Sequence, residues 1–283
     1  MVAKKANTWA PRLLPCLVAL ALLSGCGGRR LLLNAQGLDR GLVIVLPGID
    51  GLAPYNVNAC KALCEDHFGM AVELYDWTLP FGLLINQCAV LRNRLAADEL
   101  AHRILEYRKK YPDRPVFLVG HSGGTAIAVW AAEAMPEGER IDGIVLLGSS
   151  LSPQYDLSKA IGHTRTGIVS FYSYQDGALL GVGTVLLGTI DGQHTESAGK
   201  VGFHRARGGE VPYAGLVQIA WHPAMAVAGH DGGHFGYTAP GFMKSHVRPW
   251  LAGSSADSAL ANAPATPLDA GRDVQTARLA LGR

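Results

Sequence analysis

Val116-Phe117-Leu118-Val119-Gly120-His121-Ser122-Gly123-Gly124, running into the alanine-rich stretch Thr125 to Met135, is the segment on which the reading of this chain turns. Four apolar residues, two of them β-branched, predict a buried strand over 116–119. Residues 125–135 predict a helix rich in the strongest helix former. Between them lies G-x-S-x-G, whose serine must occupy a tight, strained strand-to-helix turn that only small neighbours tolerate. Gly120, Gly123 and Gly124 supply those neighbours. A helix starting there aims its free N–H groups at the serine. The flanking strand and helix set the motif apart from a glycine-rich turn that holds an incidental serine.

Outward from this centre, short apolar runs alternate with amphipathic stretches. Leu42 to Leu46, ended by Pro47-Gly48, predicts a buried strand, and Ala71 to Tyr75 a second one stopped by Asp76. Asn56 to Phe68 is helical in pattern, with Val57, Cys60, Leu63 and Cys64 on one side. Asn93 to Tyr111 predicts a longer helix that buries Leu100 and Ile104 and gathers Arg108, Lys109 and Lys110 in its last turn, as the helix dipole prefers. Further strands are expected at 141–147, 168–172 and 216–221, and a closing helix at 242–251 that Pro249 must bend or end. Strands apolar on both faces, alternating with helices, predict an α/β fold with a mostly parallel central sheet flanked by helices. Residues 177–214 hold many glycines and no convincing strand. They read as a long loop region of the kind that is commonly functional.

Composition narrows the function classes. The chain has 283 residues, 48% hydrophobic and only 17% charged, which excludes a disordered chain or a charged coiled coil. No basic stripe is present to neutralise phosphates, so no nucleic-acid partner is expected. The formal charge of +2 owes its sign to the first residues: Lys4, Lys5 and Arg12 precede the apolar run Leu13 to Leu23. That run has the length of a secretory signal and falls short of a membrane span. Leu23-Ser24-Gly25-Cys26 then resembles the lipobox of bacterial lipoproteins, which implies cleavage before Cys26, lipidation of its thiol and a membrane anchor in the bacterial cell envelope. Loss of residues 1–25 turns 25 bases into 22 against 23 acids, so the mature chain carries −1. The expected organisation is a signal peptide at 1–25, a lipidated spacer at 26–39, one catalytic domain at 40–253 and a weakly ordered tail at 254–283. Cys60, Cys64 and Cys88 remain, enough for one disulfide and an unpaired thiol.

With its elbow in this context, the stretch from about residue 40 to 251 resembles the α/β-hydrolase superfamily. The resemblance implies the order nucleophile, acid, histidine, with Ser122 as nucleophile. The acid is expected after the strand 168–172, where Ser173-Tyr174-Gln175-Asp176-Gly177 offers Asp176; Asp191 is the alternative acid, and Asp156 precedes the strand. The histidine is expected in the loop after the last strand, which holds His230-Asp231-Gly232-Gly233-His234-Phe235-Gly236. Gly-His-Phe-Gly just before the final helix selects His234, with His230 as the alternative base. Oxyanion donors are implied at the backbone N–H groups of Gly123 and, after Pro47-Gly48, of Ile49. Asp50 has an equally good reading as a loop cap. His121 is expected to support the turn and not to act as the base.

Tyr55, Trp77 and Phe81 are candidates to line an acyl pocket or simply to pack at its rim. No metal and no cofactor is expected: His222, His230 and Asp231 lack a ligand spacing such as HxH or HExxH. Only 19 residues, Gly148 to Thr166, separate two strands between which the superfamily often inserts a cap, so no large cap domain is expected. The implied activity is hydrolysis of a lipid or other small-molecule acyl ester through an acyl-serine. Acyl transfer, or amide or thioester hydrolysis, would use the same triad. A non-catalytic envelope lipoprotein with this fold is the alternative of a different class.

Overall fold

The computed structural model describes residues 28–65, 68–177, 184–204 and 214–252. The proposed signal peptide, Cys26 and the tail at 254–283 lie outside the described residues. In chain order the strands are β1 (Arg29–Asn34), β2 (Leu42–Leu46), β3 (Ala71–Asp76), β4 (Val116–His121), β5 (Gly143–Leu147), β6 (Ile168–Tyr172) and β7 (Leu216–Ala220). They form one sheet in the spatial order β1-β3-β2-β4-β5-β6-β7. β1 runs antiparallel to β3, and every other pair is parallel. The main helices are α1 (Pro54–Cys64), α2 (Leu83–Cys88), α3 (Val90–Lys110) and α4 (Gly124–Glu133).

Side chains alternate along a strand, so an apolar run is stable only where both faces of the sheet are covered. Here they are. Leu42, Ile44, Leu46, Leu118 and Ile144 point to one face, beneath Leu100 and Ile104 of α3 and Ile127 of α4. Val43, Val45, Val72, Val119 and Val145 point to the other, against Cys60 and Leu63 of α1 and Phe242 and Val247 near the C-terminus. The fold is therefore α/β, a mostly parallel sheet between helical layers.

Several boundaries differ from expectation for local reasons. β4 continues through Gly120 to His121, because Gly120 and His121 still pair with Leu146 and Leu147 of β5. α1 starts at Pro54, whose fixed φ suits a first helical turn, and ends at Cys64, four residues before Phe68. Pro249 does not end the final helical segment, 240–251. A π-turn at Met243–Val247 lets the Arg248 N–H reach Met243 O five residues back, and Pro249 then falls in the first turn of Arg248–Leu251, where its missing N–H costs nothing. β1 lies in the stretch expected to be a spacer. It is held by its ladder to β3 and by an ion pair from Arg29 to Asp76. Between β5 and β6 stands a single short helix, α5 (Ser158–Gly162), which leaves no room for a cap. The region 177–214 carries two further short helices, α6 (Thr184–Leu187) and α7 (Ala198–Val201). Cys60, Cys64 and Cys88 are free thiols. Among the described residues, no helix is long and apolar enough to cross a membrane.

Candidate active site

The chain leaves β2 for β3 on one side and returns to β4 on the other, so the carboxyl ends of β2 and β4 flank the switch in strand order where open α/β sheets bind ligands. Leu46 pairs with Gly120, which sets the loop after β2 beside the turn after β4.

That turn is strained. Ser122 has φ +52°, a left-handed conformation that costs a residue with a Cβ about 1–3 kcal/mol. Two anchors hold it. The Ser122 N–H donates to Leu147 O at 2.9 Å, and its carbonyl accepts from the Thr125 N–H at 3.1 Å and the Thr125 hydroxyl at 2.5 Å. The glycines are required for close approach: a Cβ on Gly124 would lie 2.3 Å from Leu46 O, and one on Gly120 would lie 2.7 Å from Gly124 O. α4 starts directly behind, with its N-terminus at the serine.

The expected partners separate cleanly. Asp176 and His234 are brought together: the His234 Nδ1–H donates to Asp176 Oδ2 at 2.6 Å, with both residues buried. This places the proton on Nδ1 of the neutral ring and leaves Nε2 as an acceptor. The His234 loop is fastened to the serine turn through His121, whose Nε2–H donates to His234 O at 3.2 Å and whose ring lies 4.9 Å from the His234 ring. Burial and the His234 ring lower the His121 pKa to about 3, so His121 stays neutral and acts as a strut.

The alternatives face elsewhere. Asp191 accepts from the Ser152 N–H at 2.8 Å and the Ser152 hydroxyl at 2.6 Å, a turn-capping role on the wall of a polar cavity shared with Arg94 and Tyr155. His230 accepts from the Gly232 N–H at Nδ1 and packs its ring against Tyr237 and Phe242, with Nε2 buried and unbonded. Burial lowers its pKa to about 4. Among the described residues, no group of three or more potential ligands is placed to hold a metal ion.

Ile49 and Gly123 face each other: a Cβ on Gly123 would lie 2.7 Å from Ile49 Cγ2. Neither backbone N–H donates to an acceptor among the described residues. Asp50 is half-buried and accepts from Asn56 Nδ2 at 3.3 Å, with its carboxyl pKa pushed up by burial. Trp77 is buried, donates from Nε1 to Pro47 O at 2.8 Å and lies under Gly123. Tyr55 sits half-exposed against Phe235. Phe81 neither lines a pocket nor packs at a rim. It is fully exposed, on a left-handed backbone (φ +58°).

Two contributors lie outside what the sequence shows. The Ser150 hydroxyl lies 3.4 Å from the Ser122 hydroxyl, delivered by the neighbouring strand β5. Asn86 of α2 donates to Ile49 O at 2.8 Å and accepts from the Leu79 N–H at 2.9 Å, which pins the loop after β2. The signals are slight: a serine pair just after β5, and Asn86-Gln87 as the polar pair within an otherwise apolar, uncharged stretch at 79–91.

A family model described as the alpha/beta hydrolase fold matches residues 80–181, which span α2 to the loop after β6. Among solved structures, lipase B of Aspergillus fumigatus superposes with a TM-score of 0.51 at 12% identity, over 82% of this chain and 57% of that one. The chain has the α/β-hydrolase fold. An esterase of Pyrococcus furiosus matches with a TM-score of 0.49 at 12% identity, over 88% of this chain and 97% of that one. Est1E of Butyrivibrio proteoclasticus matches at 0.45 and 12%, over 80% and 93%. No curated protein matches the sequence. At these identities the likeness is one of fold. Within the α/β-hydrolase fold, the serine turn, the histidine loop and the loop after β2 meet at one end of the sheet.

Proposed function

We propose that this protein is a serine hydrolase that cleaves a carboxylic ester through an acyl-serine intermediate. The observation that carries the reading is the conjunction of a left-handed Ser122 with a buried His234–Asp176 pair whose tautomer leaves Nε2 free to accept a proton. A serine hydroxyl is a weak nucleophile at neutral pH. In the proposed reaction His234 Nε2 takes the Ser122 proton as Oγ attacks the carbonyl, and Asp176 holds the ring and stabilises its charged form. The oxyanion of the tetrahedral intermediate is met by the N–H groups of Ile49 and Gly123. His234 then returns the proton to the departing alcohol, and water repeats the sequence on the acyl-serine.

A fluorophosphonate probe tests the reading. The wild-type chain is expected to be labelled and Ser122→Ala not; absence of labelling in wild type, or equal labelling of both, refutes it. Asn86→Ala removes an anchor of Ile49 and is expected to lower kcat by about 10- to 100-fold, less than the roughly 10²- to 10³-fold cost of deleting an oxyanion donor, because the donor is shifted and not lost. Unchanged kcat would detach Asn86 from the oxyanion loop.

The envelope location is proposed on the motif ending at Cys26. In cells fed a radiolabelled fatty acid, the exported wild-type protein is expected to take up label and Cys26→Ala not. Equal labelling, or none in wild type, would refute the anchor.

A further inference from the structure

The part of the surface beside the candidate site is apolar and uncharged in a way that the hydrolase fold does not require. Phe81 is 108% exposed, and Leu83, Leu84 and Leu91 follow it into solvent from α2 and the first turn of α3. Val185 and Leu187 of α6 are exposed next to them. The two segments are tied together: Gln87 Nε2 donates to Gly188 O at 2.9 Å, and the Cys88 thiol to Leu187 O at 3.7 Å. Neither 79–91 nor 184–190 contains a Lys, Arg, Asp or Glu. Beside the patch, Arg92 is engaged with Trp77 O and the Trp77 ring, the exposed Arg94 with Glu133 and the Trp130 ring, and His194 bonds Val185 O through Nδ1. Large exposed apolar patches on a folded domain mark interaction sites.

The patch is continuous with the site. α2, which presents Leu83 and Leu84, also carries Asn86, which holds Ile49. Just past Val185 and Leu187 on the same strip of chain, Ile190 turns inward, its Cδ1 3.3 Å from where a Cβ on Gly123 would stand. A lipid surface seated on this patch would lie beside the helix that holds Ile49 and the segment whose Ile190 packs at Gly123, so an ester held in that surface starts next to the candidate site.

We infer that Phe81, the exposed side chains of α2 and those of α6 dock the protein onto the surface of an uncharged or zwitterionic lipid bilayer, with Phe81 as the inserted tip. The inference rests on the proposed ester hydrolysis for its purpose, but not for its geometry. The Phe81 ring, on a left-handed backbone, is fully exposed, so among the described residues nothing of the protein buries it. Attraction is by apolar insertion and not by charge, because 79–91 and 184–190 offer no Lys or Arg to an anionic headgroup.

The test uses the full-length chain carrying Ser122→Ala, so that vesicles persist, and compares Phe81→Trp with Glu137→Trp. Glu137 is exposed in the turn leading to β5, at the opposite end of the sheet. With phosphatidylcholine vesicles whose acyl chains are brominated, the tryptophan added at 81 is expected to lose about half its emission or more, and that at 137 none. This separates insertion of the patch from attachment by the N-terminal apolar segment, which would bring both variants to the vesicle and quench neither added tryptophan. Equal quenching at 81 and 137, or quenching at 81 only with anionic lipid, overturns the inference.

A second arm leaves Ser122 intact and combines Phe81→Asn, which suits the left-handed backbone, with Leu84→Gln and Leu91→Gln. Hydrolysis of an emulsified long-chain ester is expected to fall about tenfold or more while soluble p-nitrophenyl acetate is cleaved within about twofold of wild type. An equal fall on both esters overturns the inference. So does a concentration-dependent dimer that these substitutions abolish, which would assign the face to a second copy. If wild type cleaves neither ester yet position 81 is quenched, the hydrolase reading fails and the docking surface stands.

Discussion

Asp176→Asn is expected to lower kcat by about 10⁴-fold, while Asp191→Asn stays within about threefold of wild type. The asymmetry follows from what each carboxylate holds. Asp176 Oδ2 accepts from His234 Nδ1–H in a buried site, which fixes the tautomer with Nε2 unprotonated. An asparagine amide facing Nδ1 donates where the carboxylate accepted, so the ring proton moves to Nε2, and Nε2 no longer takes the Ser122 proton. The loss falls on kcat, because the charge on the imidazole develops only as the transition state forms. Asp191 caps Ser152 through its N–H and hydroxyl. The amide of Asp191→Asn keeps one acceptor oxygen, and the cost is about 1 kcal/mol of stability, seen in thermal unfolding. Steady-state kinetics on a soluble ester with both variants decides between them. A collapse of kcat in Asp191→Asn with Asp176→Asn intact would reverse the assignment.

What is legible in the chain, and what is not, follows from where each signal is stored. β2, β4 and β6 sit inside the sheet, so burial on both faces writes them as apolar runs. The serine turn is written in glycines because the backbones of residues 46, 120 and 124 approach too closely for a Cβ. The His234–Asp176 contact is reachable through chain order, since parallel strands deliver their following loops to one end of the sheet. β1 escapes because nothing in Arg29-Arg30-Leu31-Leu32-Leu33-Asn34 alternates; its pairing is supplied by β3 and by Asp76. α2 escapes because it is one and a half turns long and exposes Leu83 and Leu84 where an amphipathic helix would bury them. Aromatic residues mostly pack, and no local pattern around Phe81 marks it as the exception. The Ser150–Ser122 contact depends on β4 and β5 being spatial neighbours, a relation that no local pattern carries.

Acidification is expected to remove stability earlier than carboxylate protonation alone would. His121 and His230 are buried and neutral, with pKa values lowered to about 3 and about 4 chiefly by desolvation. In the unfolded chain both titrate near the ordinary value, about 6.5. Below that value the unfolded state binds protons that the folded state refuses, so stability is complete above about pH 6.5 and falls as pH falls, by about 1.4 kcal/mol per unit for each group. From pH 6.5 to 5 the two together are expected to cost about 3 kcal/mol, a large share of an ordinary domain's stability. Asp50 and Glu133, whose carboxyl pKa values burial raises, gain protons first in the folded state and oppose this slope toward the acid end.

His230→Asn isolates the effect. An asparagine oxygen replaces Nδ1 as acceptor for the Gly232 N–H and carries no titratable proton. The variant loses ring contacts with Tyr237 and Phe242 and is less stable at pH 7. Its urea midpoint should nevertheless decline with pH about half as steeply as that of wild type between pH 6.5 and 5. An unchanged slope would mean that His230 takes up its proton in the folded protein, which would require the Gly232 N–H to give up Nδ1.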